Sequence, residues 1–408
     1  MNKGEGGCRV RGKTLDPQTQ EKTMAKELAF VLINPHSVAK SRTGGIIARY
    51  ISRTGLDLVG ARMFAPSAEL AKEYSELIRN DASVAAGFRD ALADYVAREY
   101  APAADGARRR AMMLLFEGEN AIQAVKDVTG PIRAAESGEN VRDTYGEYVL
   151  DAAGGVRYLE PAVFIGPTAA SAGAALKLWA KYSEECGGMV DGAGDVAQGE
   201  GVQKGLVILK PDNFRFASAR PGLIIDIFSR SGLRIVCAKV HRMSVAEAEE
   251  FYGPVKTALQ QKLKGKVAER SARAVAEELK MELSEETKAQ LGELLGPLYG
   301  TNQFYQIVEF MTGRWGEGLV ESEKEKPGAV KVLLLVYAGP NAIERVRSIL
   351  GPTDPSKAGP GSVRKEFGHD IMVNAAHASD SPENAEREMR ITKVGSETLR
   401  SWVEAYYP

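Results

Sequence analysis

His377 is one of four histidines in the chain, and it lies in a run that reads Asn374-Ala375-Ala376-His377-Ala378-Ser379-Asp380-Ser381. An imidazole titrates close to neutral pH, so it is a competent nucleophile there. Ser381 followed by Pro382 reads as the N-cap and first position of a helix, which puts Glu388 about two turns in. Two other clusters carry positive charge. Leu209-Lys210-Pro211-Asp212 places an ammonium at the end of a strand. Arg347, Thr353 and Arg364 set two guanidiniums and a hydroxyl around a Gly/Pro-rich loop, and Arg forks match phosphate oxygens bidentately. A histidine with fixed cations suits phosphoryl transfer, in which positioning and electrostatics supply most of the catalysis. His36, His241 and His369 read as surface or strand-end residues.

The elements that must hold these groups repeat along the chain. In the first half the apolar strand Leu28–Asn34 precedes GGIIARYISRTG and then LDLVGARM; in the second, Leu206–Lys210 precedes PGLIIDIFSRSG and LRIVCAKV. Gly55 and Gly232 stand where left-handed C-caps are expected. Further on, Met112–Pro131 matches Val332–Pro352, each an apolar strand leading to an Asn-Ala-Ile helix. Asn341 and Glu344 have capping-box spacing, as have Ser244 and Glu247. The separation of the copies grows from 177 residues at Gly55/Gly232 to 221 at Gly118/Gly339, so the second copy carries about 44 extra residues. They fall in 256–302, whose Ala/Glu/Lys/Leu composition predicts one or two amphipathic helices ended by Leu295-Gly296-Pro297. The order β-α-β-(α)-β-α-β in each copy predicts an α+β fold: two tandem ferredoxin-like (βαββαβ) domains, each a four-stranded antiparallel sheet with helices packed on it. The expected divisions are a disordered tail over 1–25, a first domain over 26–165, a flexible Gly-rich linker over 166–204 and a second domain over 205–408.

On these residues the second half resembles the nucleoside diphosphate kinase family. That family's Asn-x-x-His-[small]-Ser-Asp-Ser signature matches Asn374 to Ser381, and its Lys-Pro-Asp matches Lys210 to Asp212. Its phosphate-binding Arg, Thr and second Arg match Arg347, Thr353 and Arg364, its Tyr matches Tyr252, and the Glu behind its histidine matches Glu388. The resemblance implies ping-pong transfer of a γ-phosphoryl group from a nucleoside triphosphate to a nucleoside diphosphate through phospho-His377. Glu388 and Ser379 would hold the imidazole, and Lys210, Tyr252, Arg347, Thr353, Arg364 and Asn374 would hold the nucleotide. Mg²⁺ would arrive with the bound nucleotide, without a dedicated carboxylate cage. Direct alignment puts Gln303 and Ile307 where the family has a base-stacking Phe and a Leu, so Phe304 takes the stacking role by a one-residue shift. The resemblance further implies a homo-oligomer, with the fused pair imitating a dimer and three chains completing the particle. The alternative is an inactive nucleotide-binding or scaffold protein with the same fold.

The first copy lacks the constellation. Asn34 stands for Lys210, Lys126 for Arg347 and Arg142 for Arg364, and Gly154, Gly155 or Val156 falls opposite His377, so this copy is expected to be catalytically silent. A net charge of -1 argues against nucleic acid as a partner. Three scattered cysteines fit a reducing cytoplasm. The N-terminal stretch has no apolar region of a signal peptide, and the apolar run Val332–Ala338 is too short to span a bilayer.

Overall fold

The computed structural model describes residues 25–133 and 136–408; the expected tail lies outside them except for its last residue. Ten strands are described: β1 (Glu27–Ile33), β2 (Asp57–Phe64), β3 (Ala111–Gly118), β4 (Glu147–Leu150), β5 (Val156–Glu160), β6 (Val163–Ile165), β7 (Val202–Leu209), β8 (Arg234–His241), β9 (Val332–Pro340) and β10 (Ala376–Ala378). They form two four-stranded sheets of order β2-β3-β1-β6 and β10-β7-β9-β8, and the β4-β5 hairpin. Every pairing in the two sheets is antiparallel. Each copy is therefore the expected ferredoxin-like α+β sandwich. Its central strands are apolar on both faces, β1 and β3 in the first copy and β7 and β9 in the second.

The strand register matches the copies position by position. Lys210 N donates to Ala375 O at 3.0 Å and Asn34 N to Ala162 O at 3.1 Å, and both alanines hold positive φ, 69° and 61°. His377 pairs with Ile208, two residues before Lys210, and Phe164 pairs with Leu32, two residues before Asn34. Phe164 is thus the counterpart of His377, and not Gly154, Gly155 or Val156. Those three residues lie in or beside the turn of the β4-β5 hairpin, where Asp151 Oδ1 accepts from Ala153 N and Gly155 N, both at 2.8 Å. The hairpin makes the first copy about nine residues longer between Arg142 and Ala162 than the second is between Arg364 and Ala375.

Three further expectations change. The helix Ala169–Lys181 completes the first domain, so the linker does not begin at residue 166. Its Trp179 is fully buried and meets Phe64, Tyr74 and Tyr100 edge-on, at ring distances of 4.8, 5.4 and 6.1 Å. The Gly-rich stretch beyond it is pinned: Val190 N bonds Val236 O and Gly194 N bonds Arg108 O, each at 2.9 Å, with Val190, Ala193 and Val196 buried. The inserted segment folds as the helices Val245–Lys262, Lys264–Leu279 and Glu285–Thr312, and the last runs through Pro297. Gly292, Gly296 and Gly300 line one face of it, and a Cβ on any of them would meet Lys264, Ala268 or Gln260 within about 3 Å; here glycine permits close helix packing.

Capping is partly as expected. Ser244 and Glu247 form the reciprocal box at 3.1 and 2.9 Å, and Ser381 Oγ accepts from Asn384 N at 3.1 Å. Asn341 makes no side-chain cap and is left-handed at φ 52°. The Ile343 N–H is met instead by Gln203 Oε1 at 3.3 Å, as the Ile122 N–H of the first copy is met by Glu27 Oε2 at 3.1 Å. Gly55 caps its helix with φ 69°, whereas Gly232, at φ 68°, lies beyond the helix end at Ser229.

The copies pack through the helices Thr43–Thr54 and Arg220–Ser229, which cross at Gly44 and Gly222. A Cβ on Gly222 would lie 2.2 Å from Gly44 O and 2.4 Å from Ala48 N. Gly222→Val should therefore lower the urea midpoint, with a loss of about 1–3 kcal/mol. Gly253, also helical, has no neighbour within 4 Å of the place a Cβ would take, so Gly253→Ala should raise stability by about 0.5–1 kcal/mol. Equal effects of the two substitutions would contradict the close crossing.

Candidate active site

His377 sits on the short edge strand β10, between the left-handed Ala375 and the helix Pro382–Ile391. Asn213 supports this bend, its Nδ2 donating to Ala375 O at 2.7 Å and Lys210 O at 3.0 Å. The helix returns Glu388 behind the ring. His377 Nε2 lies 3.0 Å from Glu388 Oε2, and Ser379 Oγ donates to the same oxygen at 2.6 Å. Glu388 and Ser379 are buried, while the His377 side chain remains 23% exposed. A carboxylate only accepts, so the arrangement assigns the proton to Nε2 and leaves the Nδ1 lone pair free to act. Phe251 fixes the ring plane from the side, its centroid 5.1 Å away and its plane at 72°. Tyr252 lies next to it, 6.4 Å from the imidazole. Its buried hydroxyl has no partner among the described residues, and burial followed by the Glu388 charge pushes the phenol above its usual pKa.

The cations are bound into one knot. Lys210 Nζ donates to Asn374 Oδ1 at 2.7 Å and to Met372 O at 3.1 Å, and lies 5.6 Å from the Phe310 ring centre. Asn374 Nδ2 in turn donates to Thr353 O at 3.0 Å, tying the Arg/Thr loop to the histidine strand. Arg364 donates through Nη1 to Gly351 O at 2.9 Å and through Nη2 to Ala376 O at 3.1 Å, with its buried Nε unpartnered. Burial, and next the charge of Arg364, draws Lys210 down to about 8. Burial, and next Arg347, draws Arg364 down to about 10. Each cation opposes its neighbour, and an anion placed among them would relieve both.

Arg347 is exposed on the last turn of Ala342–Leu350, in an open groove with Ser348, Asp380 and Pro382, and Thr353 is exposed as well. Phe304 is not presented to solvent. It is 2% exposed, packed edge-on to Tyr305 at 5.2 Å, and Lys256 Nζ lies 5.2 Å from its ring centre. Phe251, Phe310 and Asn213 are supporting residues that motif reasoning passed over. Asn213 was within its reach, because it directly follows Lys210-Pro211-Asp212. Among the described residues no group of three or more His, Cys, Asp or Glu could hold a metal. Among the described helices none is long and apolar enough to cross a membrane.

If Lys210 binds an anionic ligand, its charge matters most. It is lost as pH rises through about 8, so the Kd for MgADP should climb between about pH 7 and about pH 9. Lys210→Met should bind weakly and without that step. A wild-type Kd that stays flat over this range, measured by calorimetry, would exclude Lys210 from the binding site.

The profile of the nucleoside diphosphate kinase family matches residues 27–153 and 256–394. The nucleoside diphosphate kinase of Bdellovibrio bacteriovorus is 30% identical over 190 residues, covering 47% of this chain and 92% of that protein. That of Pyrobaculum aerophilum is 31% identical over 199 residues, covering 46% of this chain and 93% of that protein. Among solved structures, the Aquifex aeolicus nucleoside diphosphate kinase is 29% identical, covers 47% of this chain and 94% of its own, and has a TM-score of 0.29.

Proposed function

This chain belongs to the nucleoside diphosphate kinase family, and from that premise we propose that its second domain moves a γ-phosphoryl group from a nucleoside triphosphate to a nucleoside diphosphate through phospho-His377. The observation that carries the reading is the shared Glu388 oxygen, which holds both the His377 Nε2–H and the Ser379 hydroxyl. In the first half-reaction the Nδ1 lone pair attacks the γ-phosphorus, the P–O bond to the β-phosphate breaks, and the nucleoside diphosphate leaves with those electrons. In the second, a terminal oxygen of the incoming diphosphate attacks the phosphorus, the P–N bond breaks, and the imidazole regains its lone pair.

Nε2 keeps its proton throughout, and Glu388 stabilises the positive charge that the ring takes on. Lys210 and Arg364 face the charge spread over the transferred oxygens. The free Tyr252 hydroxyl is a donor for one of them, and Arg347, Thr353 and Asn374 complete the grip on the phosphates. Magnesium would enter with the nucleotide and would supply neutralisation of phosphate charge. The first domain has no part in this chemistry, because Phe164 stands for His377 and Ala175 for Glu388.

The test is to incubate the chain with γ-labelled ATP and magnesium. An acid-labile, base-stable label is expected at one per chain and absent from His377→Ala, and ADP should discharge it. No label on a folded wild-type chain, or a label that survives His377→Ala, would defeat the proposal.

A further inference from the structure

The first domain holds a cavity of about 510 Å³ where the second has its site. Phe164, Ala175, Ile132, Lys126 and Arg142 line it, and they are the counterparts of His377, Glu388, Thr353, Arg347 and Arg364. The polar side chains at three of these five positions have become apolar. The Lys210 position is closed off as well. Asn34 is buried, donating to Glu160 at 3.1 Å and accepting from Tyr100 at 2.7 Å, while Tyr95 donates to the other Glu160 oxygen at 2.5 Å. That network satisfies the group that would otherwise face a phosphate and keeps it out of the cavity wall.

Two cations persist. Arg142 repeats the pose of Arg364, with Nη1 on Gly130 O at 2.9 Å, Nη2 on Val163 O at 3.5 Å and a buried, unpartnered Nε. Lys126 is exposed on the last turn of Ala121–Thr129. Neither has a carboxylate partner among the described residues, although two carboxylates also border the cavity. Asp81 is engaged by Ser171 at 2.5 Å and by Ser83 at 2.6 Å, and Asp127 by Gln123 at 2.7 Å. The rest of the wall is apolar, with Leu77, Phe88 and Phe164 among its rings and chains. The volume falls in the range of small-molecule sites, which combine an apolar lining with a few placed polar groups.

We propose that this cavity binds an amphipathic anion, a small molecule with an apolar body seated on Leu77, Phe88 and Phe164 and one acidic head group at Lys126 and Arg142. A nucleotide fits it poorly, because the lining no longer offers the histidine, threonine and lysine that meet a polyphosphate in the other copy. Burial of apolar ligand surface drives binding, and the cations orient the ligand and select its charge.

The experiment is calorimetric titration of the full chain with sodium dodecanoate below its micelle concentration, with 1-dodecanol as the uncharged control. One dodecanoate per chain is expected, and dodecanol should bind at least about threefold more weakly. Ala175→Phe fills the cavity and should weaken dodecanoate at least about tenfold. Lys126→Glu, on the surface and safe for folding, should weaken it about threefold or more. Labelling of His377 should be unchanged in both variants. The proposal is overturned if the wild type takes up no dodecanoate or if Lys126→Glu binds it as tightly as the wild type. It is equally overturned if ADP displaces the dodecanoate, which would return the cavity to nucleotides.

Discussion

One carboxylate oxygen organises the second domain. Glu388 Oε2 accepts from both His377 Nε2 and Ser379 Oγ, and this choice of tautomer leaves the other ring nitrogen with its lone pair. Much of the surrounding fold serves that contact. The Ser381 cap starts the helix that delivers Glu388, the left-handed Ala375 turns the chain so that β10 presents the imidazole, and Asn213 holds that turn by its carbonyl. Thr392 Oγ1 bonds Glu388 O at 2.9 Å and steadies the same helix turn. An orienting carboxylate of this kind works by fixing geometry and stabilising the cationic ring, without itself taking the proton.

The two copies show how little of the scaffold depends on that oxygen. The positive-φ alanine, the strand-to-helix cap and the half-buried arginine on two backbone carbonyls occur in both. They belong to the sandwich and persist where the histidine and glutamate do not. The side chains that differ are those whose only partners would be each other or a ligand. Once His377 is replaced by Phe164 and Glu388 by Ala175, burial favours apolar neighbours, and a polar cleft gives way to a greasy cavity. The Asn34–Glu160–Tyr95–Tyr100 network is the polar remainder, and it is satisfied internally, as a buried network must be to avoid a desolvation penalty.

The antiparallel α+β class, the repeat and the helical character of the insert were legible because strand and helix periodicity are local signals. That Glu388 and Ser379 stand beside His377 is what the family resemblance implies; from the residues alone, Ser381-Pro382 marks only the start of the helix that carries Glu388. Three things were not legible. The counterpart of His377 was misplaced because the β4-β5 hairpin shifts the spacing by about nine residues, and neither Phe164 nor its neighbours keep the motif's residue types. Thr168, the N-cap that mirrors Ser381, was the available clue. Gly296 reads as part of a break but, with Gly292 and Gly300, is a close-contact position, a distinction that needs the partner helix. Phe304 read as a candidate stacking ring, yet its neighbours Tyr305 and Lys256 cover it, and such tertiary burial leaves no trace in spacing.

The central claim concerns which imidazole nitrogen is free, and it can be read directly. Histidine-¹⁵N-labelled protein is phosphorylated with MgATP and its nitrogen–phosphorus coupling is recorded by NMR. Phosphorus is expected on Nδ1 of His377, with Nε2 still protonated and bonded to Glu388. Phosphorus on Nε2 would contradict this assignment, because Glu388 would then have to release the nitrogen it is built to hold.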